Sequence, residues 1–428
     1  MKIHVVQKGE TLFSIAQQYG VSARLLQKLN QAPTDGTLVP GQTLVVLLPE
    51  RTHVVRRGDT VWSIAREHGI STRELYQNNI FLQGQGALIP GEELILSLQD
   101  VHREGSLGVN GYAYPFINGD LLRQELPYLT YVTPFTYGIG ADGDLAALRD
   151  EGILAAAGQY SVLPWMHLST MTEEGRFSSA RAEALLGSAP RQETLLGQIK
   201  EILKEKGYGG LDVDFEYIRP ELGAAYAAFV DRLRRELNPL GCSVLVALAP
   251  KTFAGQRGLP YEAHDYAALG RAANGVLLMT YEWGYTAGPP MAVAPLDKVR
   301  QVVDYALTEI PAEKLFLGVP VYGYDWPLPF REGVTRGESV SPQEALALAR
   351  RHGAEIRYDE TAQAPWFRYT AAGGREHEVW FEDARSSYAK FRLAAEKGLQ
   401  GVGLWNLMRP APQTYLALHG GFEIEVMR

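Results

Sequence analysis

One pattern of apolar and polar positions occurs twice in the first hundred residues. His4-Val5-Val6-Gln7-Lys8-Gly9-Glu10-Thr11-Leu12-Phe13-Ser14-Ile15-Ala16 returns 49 positions later as His53-Val54-Val55-Arg56-Arg57-Gly58-Asp59-Thr60-Val61-Trp62-Ser63-Ile64-Ala65. Further on, Asn30 is matched by Asn79, and Val39-Pro40-Gly41 by Ile89-Pro90-Gly91. Self-similarity of this kind means two copies of one small unit. Each copy reads as strand, turn, helix, helix, strand. The His-Val-Val triplet is β-like, Glu10-Thr11 and Asp59-Thr60 open a helix, and a short strand follows each Pro-Gly.

Past residue 100 the pattern changes. Strand-like runs near 107–115, 128–137, 160–167, 208–216, 243–250, 275–281, 315–322 and 401–406 alternate with helical segments, which predicts βαβ units and a parallel sheet. Eight such units give a (β/α)8 barrel of the α/β class. The clearest helices are 224–237, where Tyr226, Phe229, Val230 and Leu233 recur at helical spacing, and 384–397. Residues at about 325–383 are extra material. Glu355-Ile356-Arg357-Tyr358 and Glu378-Val379-Trp380-Phe381 look like antiparallel strands of a small α+β insertion walling one side of a cleft. The expected divisions are 1–49, 50–100 and 101–428.

Within the barrel, Gly209-Gly210-Leu211-Asp212-Val213-Asp214-Phe215-Glu216-Tyr217 stands apart. Side chains alternate along a strand, so Leu211, Val213 and Phe215 face one way and Asp212, Asp214 and Glu216 the other. In a helix-covered parallel sheet both faces are buried, which places three like charges indoors. Such burial is costly unless protons are shared or a polar cavity receives the group. Working residues of barrels sit at the C-terminal ends of strands, where Glu216 lies. Asp214 is only roughly 7 Å from Glu216 along the same strand and approaches a substrate from the same side. It therefore cannot serve as the opposed second carboxylate of an ordinary glycosidase, whereas a substrate with a 2-acetamido group brings its own carbonyl oxygen as nucleophile.

Composition narrows the field. Over 428 residues, 46% hydrophobic and 21% charged, the chain is long enough for two or three domains and is not disordered as a whole. A net charge of -8 without a basic tract removes nucleic acid as an expected partner. No apolar run is long enough to span a bilayer, and no apolar core follows Met1-Lys2 to make a secretory signal, so a soluble protein made without one is expected. Cys242, the one cysteine, sits in an apolar strand and reads as a buried structural thiol. Nine scattered histidines show no metal-ligand spacing, so neither metal nor cofactor is expected. Gly138-Ile139-Gly140-Ala141-Asp142-Gly143 has dinucleotide-motif spacing, but Asp142 and Asp144 would repel a pyrophosphate and the preceding strand is the second of its domain. It reads as a loop.

The repeated unit resembles the LysM module, a βααβ fold that binds N-acetylglucosamine-containing glycans such as peptidoglycan and chitin. The resemblance implies a groove between the first turn and the loop before the last strand. It places Gly9, Thr11, Leu12 and Pro40 there in the first copy, and Gly58, Thr60, Val61 and Pro90 in the second. The acidic strand resembles the glycoside hydrolase family 18 signature Asp-x-x-Asp-x-Asp-x-Glu, with Gly209 in place of the first aspartate. By that resemblance Glu216 is general acid and base, Asp214 orients the acetamido group, Asp212 tunes Asp214, and Tyr281 hydrogen-bonds the acetamido carbonyl. Met279-Thr280-Tyr281-Glu282-Trp283 resembles the family's strand-six motif, with Glu282 for the usual aspartate, and Trp405 resembles the tryptophan flooring the site. Met279, Glu282, Trp283 and Tyr112 join the expected sugar contacts.

Taken together, the chain resembles the spore-cortex-lytic N-acetylglucosaminidases of endospore-forming bacteria. This implies a spore protein acting on cortex glycan by retaining, substrate-assisted cleavage on the reducing side of N-acetylglucosamine. A LysM-targeted chitinase acting on chitin oligosaccharides is the enzymatic alternative. A non-catalytic glycan-binding coat protein is the alternative of another class.

Overall fold

The structure, a computed structural model, describes residues 1–82, 88–99 and 102–427. Each N-terminal repeat is a βααβ unit. In the first, strands Lys2–Val5 and Thr43–Val46 pair antiparallel around helices Leu12–Tyr19 and Ala23–Leu29. In the second, strands Pro49–Val54 and Glu93–Leu98 enclose helices Val61–His68 and Thr72–Asn78. The repeated Thr-x-x-Ser explains where the first helix starts. Thr11 Oγ1 accepts from the Ser14 N–H at 3.1 Å while Ser14 Oγ accepts from the Thr11 N–H at 3.0 Å, and Thr60 and Ser63 do the same. The repeated asparagine has a structural reason too. Buried Asn79 donates to the carbonyls of Leu75 and Ile95 and accepts from the Ile95 N–H, tying second helix to last strand, and Asn30 does likewise.

The remainder is a closed parallel barrel, as the alternation predicts. Its strands are β1 (Ser106–Ala113), β2 (Tyr131–Pro134), β3 (Leu163–Ser169), β4 (Gly210–Asp214), β5 (Ser243–Leu248), β6 (Gly275–Leu278), β7 (Leu315–Pro320) and β8 (Gly401–Trp405). Neighbours pair in sequence order, and β8 closes on β1 with Gly401 opposite Gly108 and Leu404 opposite Gly111. Outward residues such as Leu211, Val213 and Phe215 pack on helices, with Phe215 stacked on Tyr226 and Phe229 of helix Gly223–Leu237. Leu25, Leu29, Val45, Leu75 and Leu94 of the repeats join that same apolar core, so the modules are built onto the barrel.

Between β7 and β8 lies a five-stranded antiparallel sheet, in the spatial order Glu338–Val340, Gly323–Pro327, Glu376–Trp380, Ala364–Thr370, Arg357–Asp359, with helix Pro342–Arg351 packed on it. The two strands legible in sequence are not neighbours, because Ala364–Thr370 pairs with both. The glycine-rich stretch after β2 is a tight turn, with the Gly140 N–H donating to the Asp144 carbonyl at 2.7 Å. Cys242 is buried immediately before β5. Among the described residues no helix is long and apolar enough to cross a membrane, and no cluster of histidine, cysteine or acidic side chains could hold a metal ion.

Candidate active site

β4 delivers its acids as the period-two pattern requires. Asp212 and Asp214 point into the barrel, both buried, and Glu216 stands half-buried just past the strand's C-terminal end. Other barrel strands supply polar partners. From β1, the Tyr112 hydroxyl donates to Asp212 Oδ2 at 2.6 Å. From β3, His167 Nε2 lies 3.6 Å from Asp214 Oδ2, with its Nδ1 2.6 Å from the Thr136 hydroxyl. A Thr136 hydroxyl donated to Nδ1 leaves the ring proton on Nε2, toward Asp214. Burial lowers the His167 pKa to about 3, so the imidazole is neutral at any working pH.

The carboxyl groups hold protons far more tightly than usual. Burial raises Asp212 to about 7, against the opposing hydrogen bond from Tyr112. Asp214 is raised well above the carboxylate range, by burial first and then by the charges of Glu216 and Asp212. Glu216 is raised to about 7 by burial and by the charge of Glu282. Three acids so placed cannot all be ionised at once, and a protonated Glu216 near neutrality is what a general acid needs. Among the described residues, Asp212 Oδ1 and Asp214 Oδ1 are buried without a hydrogen-bond partner.

Aromatic rings wall the opening. Trp405, at the end of β8, stacks parallel to Tyr281 with ring centres 6.5 Å apart, and Tyr112, Tyr114 and Phe135 crowd its edges at 5.7, 6.3 and 5.0 Å. Burial and then the charges of Asp214 and Glu216 push the Tyr281 phenol well above its ordinary pKa, keeping it a neutral donor. An adjoining cavity of about 210 Å³ extends the cleft between Trp405, Tyr114, Glu282 and the insertion residues Tyr324 and Ser339.

Several expected contacts find different places. Tyr112 is 2% exposed, beneath Trp405, and its hydroxyl serves Asp212 instead of a sugar. Met279 is half-buried in the layer inside the barrel with Leu245 and Leu277. Trp283 packs against the core between barrel and helices. Glu282 adopts a left-handed backbone, φ 66°, and its carboxylate accepts the hydroxyls of Tyr322 and, at 3.0 Å, Tyr324. The insertion thus reaches the cleft through Tyr324. Sequence reasoning missed His167, Thr136, Tyr322 and Tyr324, none of which sits in a motif. Gly209 has a steric reason: a Cβ there would meet Leu163 carbons at 2.6 Å, so the leucine fills the space that an aspartate would need.

Residues 170–409, which hold the acidic strand, Tyr281 and Trp405, match the family model of the glycosyl hydrolases family 18. The chain belongs to that family. It is a glycoside hydrolase, and LysM domain models match residues 4–47 and 53–97. The chain is 41% identical over 426 residues to the cortical fragment-lytic enzyme of Bacillus subtilis (strain 168), covering 99% of each. It resembles the crystal structure of the spore cortex-lytic enzyme SleL of Bacillus megaterium QM B1551 with a TM-score of 0.84 at 36% identity, over 100% of this chain and 99% of that one. A chitinase from Chromobacterium violaceum aligns at a TM-score of 0.68 and 26% identity, over 73% of this chain and 98% of that one.

Proposed function

We propose that this family 18 member is a spore-associated bacterial hydrolase of cortex peptidoglycan, cleaving the β-1,4 bond on the reducing side of N-acetylglucosamine. The observation that carries the mechanism is Glu216: half-buried, holding a proton near neutral pH, with Asp214 beside it on the same strand. Glu216 protonates the leaving oxygen. Asp214, its proton affinity raised by burial and two neighbouring charges, accepts the 2-acetamido N–H and offsets the oxazolinium-like charge by passing its proton toward Asp212 as the acetamido oxygen attacks the anomeric carbon. Water, deprotonated by Glu216, then adds there and reopens the ring. Asp212, held by Tyr112, sets how protons are shared with Asp214. Tyr281 donates to the acetamido oxygen and Trp405 supports the sugar ring.

This mechanism narrows the substrate. Muramic-δ-lactam, with its amine tied into a ring, has no free acetamido arm and cannot occupy the reacting position, whereas N-acetylglucosamine can. LysM-type binding holds the enzyme on the same glycan, and the resemblance places the candidate groove at Gly9, Thr11, Leu12 and Pro40 in module one and at Gly58, Thr60, Val61 and Pro90 in module two. Proton NMR of the first products from purified cortex fragments tests the reading. The β-anomer is expected, and an initial α-anomer overturns substrate assistance. Comparable turnover on chitin oligosaccharides and cortex fragments would favour the chitinase reading.

A further inference from the structure

The two modules share a sequence pattern but are docked by different faces. Module two docks through its second helix. Arg73 donates to the carbonyls of Pro127 and Leu129, Gln77 to that of Pro127, and Asn78 meets His419 at 2.8 Å. Those partners leave Gly58, Thr60 and the Pro-Gly loop outward, while Val61 packs partly buried against the core beside Gln159 and Ser161 of the barrel. Ile89 is 49% exposed, Pro90 and Gly91 are exposed, and a Cβ on Gly91 would meet nothing within 4 Å among the described residues. Trp62, beside Val61, is 62% exposed with the Arg66 guanidinium 5.1 Å from its ring centre.

Module one is turned so that the matching loop becomes the joint. Val39, the counterpart of Ile89, is only 3% exposed and lies in the apolar core of the insertion with Ala345, Ala349 and Ile356. The Pro40 carbonyl accepts the Ile356 N–H at 3.0 Å, and the Gly41 carbonyl accepts the Arg385 guanidinium at 3.1 Å. At Gly41, φ 84°, a Cβ would lie 1.8 Å from the Ile356 oxygen, so the two backbones touch. Three consecutive loop residues are therefore committed to the catalytic unit. A glycan entering there must displace a tethered neighbour present at high effective concentration, bare Val39 and orphan a buried N–H.

We infer that module two alone captures N-acetylglucosamine-containing glycan, while module one is a brace that fixes the insertion against the barrel. The inference rests on the proposed glycan binding by these modules and assigns it to one copy. Module two packs on the loops that lead into β2 and β3, at the barrel's N-terminal end, opposite the strand ends that carry Glu216.

The test uses the full chain carrying Glu216→Gln, which stops digestion, and co-sedimentation with purified insoluble peptidoglycan. Thr11→Arg and Thr60→Arg form a matched pair, since each removes the same helix cap, so any loss of fold is shared between them. Ile89→Glu alters an exposed side chain and leaves folding intact. Thr60→Arg and Ile89→Glu are each expected to weaken retention about tenfold or more, with Thr11→Arg within roughly twofold of the parent. Equal losses from Thr11→Arg and Thr60→Arg, or loss from Thr11→Arg alone, overturn the assignment to module two. Unchanged retention in all three variants overturns it by a separate route, because glycan binding by the modules then fails altogether.

Discussion

The cleft and the second N-terminal module are proposed to meet the same sugar, and they are built by opposite physical means. In the cleft, burial does the chemistry: Asp212, Asp214 and Glu216 are withdrawn from water, and their raised proton affinity follows from that withdrawal. Module two instead leaves a capped turn and apolar side chains in solvent. Charge removed from one region should therefore change turnover and pH behaviour, while change in the other should alter retention and little else.

The sharpest break of that contrast is Glu216→Gln. It should lower the release of reducing ends by at least about 100-fold, measured on cortex fragments, and leave pelleting with peptidoglycan unchanged. A variant that still cleaves would move the acid elsewhere. Next comes Tyr112→Phe, which strips buried Asp212 of its donor. It should cost roughly tenfold in kcat and shift the pH–rate profile, because the hydrogen bond opposes the rise in the Asp212 pKa. An unaltered profile would make Tyr112 a mere packing residue.

The same burial has a stability consequence whose sign is fixed. Glu216 binds its proton more tightly folded, at about 7, than unfolded, near 4.5. Its contribution is fully present below pH 4.5 and is lost as pH rises through 7. Glu216→Gln should then stabilise the protein on the order of 2 kcal/mol at pH 8 and not at pH 4, read as a Tm difference between the two pH values. In the repeats, Asn79→Ala should destabilise by about 1–3 kcal/mol through the carbonyls and N–H it leaves unpaired. The smallest effect separates the modules themselves. Gly91→Ala should cost only the left-handed strain of about 1 kcal/mol, and Gly41→Ala measurably more, since its Cβ also meets Ile356. Equal melting shifts would mean the joint yields freely.

Legibility followed periodicity and local chemistry. The eight strands, the acid-bearing face of β4 and the capped first helix of each repeat were readable, because alternation and capping act within a few residues. His167, Thr136, Tyr322 and Tyr324 were not, because each acquires its role only when barrel closure brings β3 or the insertion beside β4 and β6. Tyr112 was expected as a sugar contact, and its donation to Asp212 was not legible, since it joins two barrel strands that do not pair with each other.

What the sequence by itself determined is therefore the set of units and the line of acids: strand period, helix caps and a duplicated pattern are short-range facts. Only the tertiary structure decided which surfaces stay free. The duplicated loops 39–41 and 89–91 have the same local code, yet one touches Ile356 and the other faces water. Docking is settled by contacts between residues 50 to 344 positions apart, and no pattern along the chain records them.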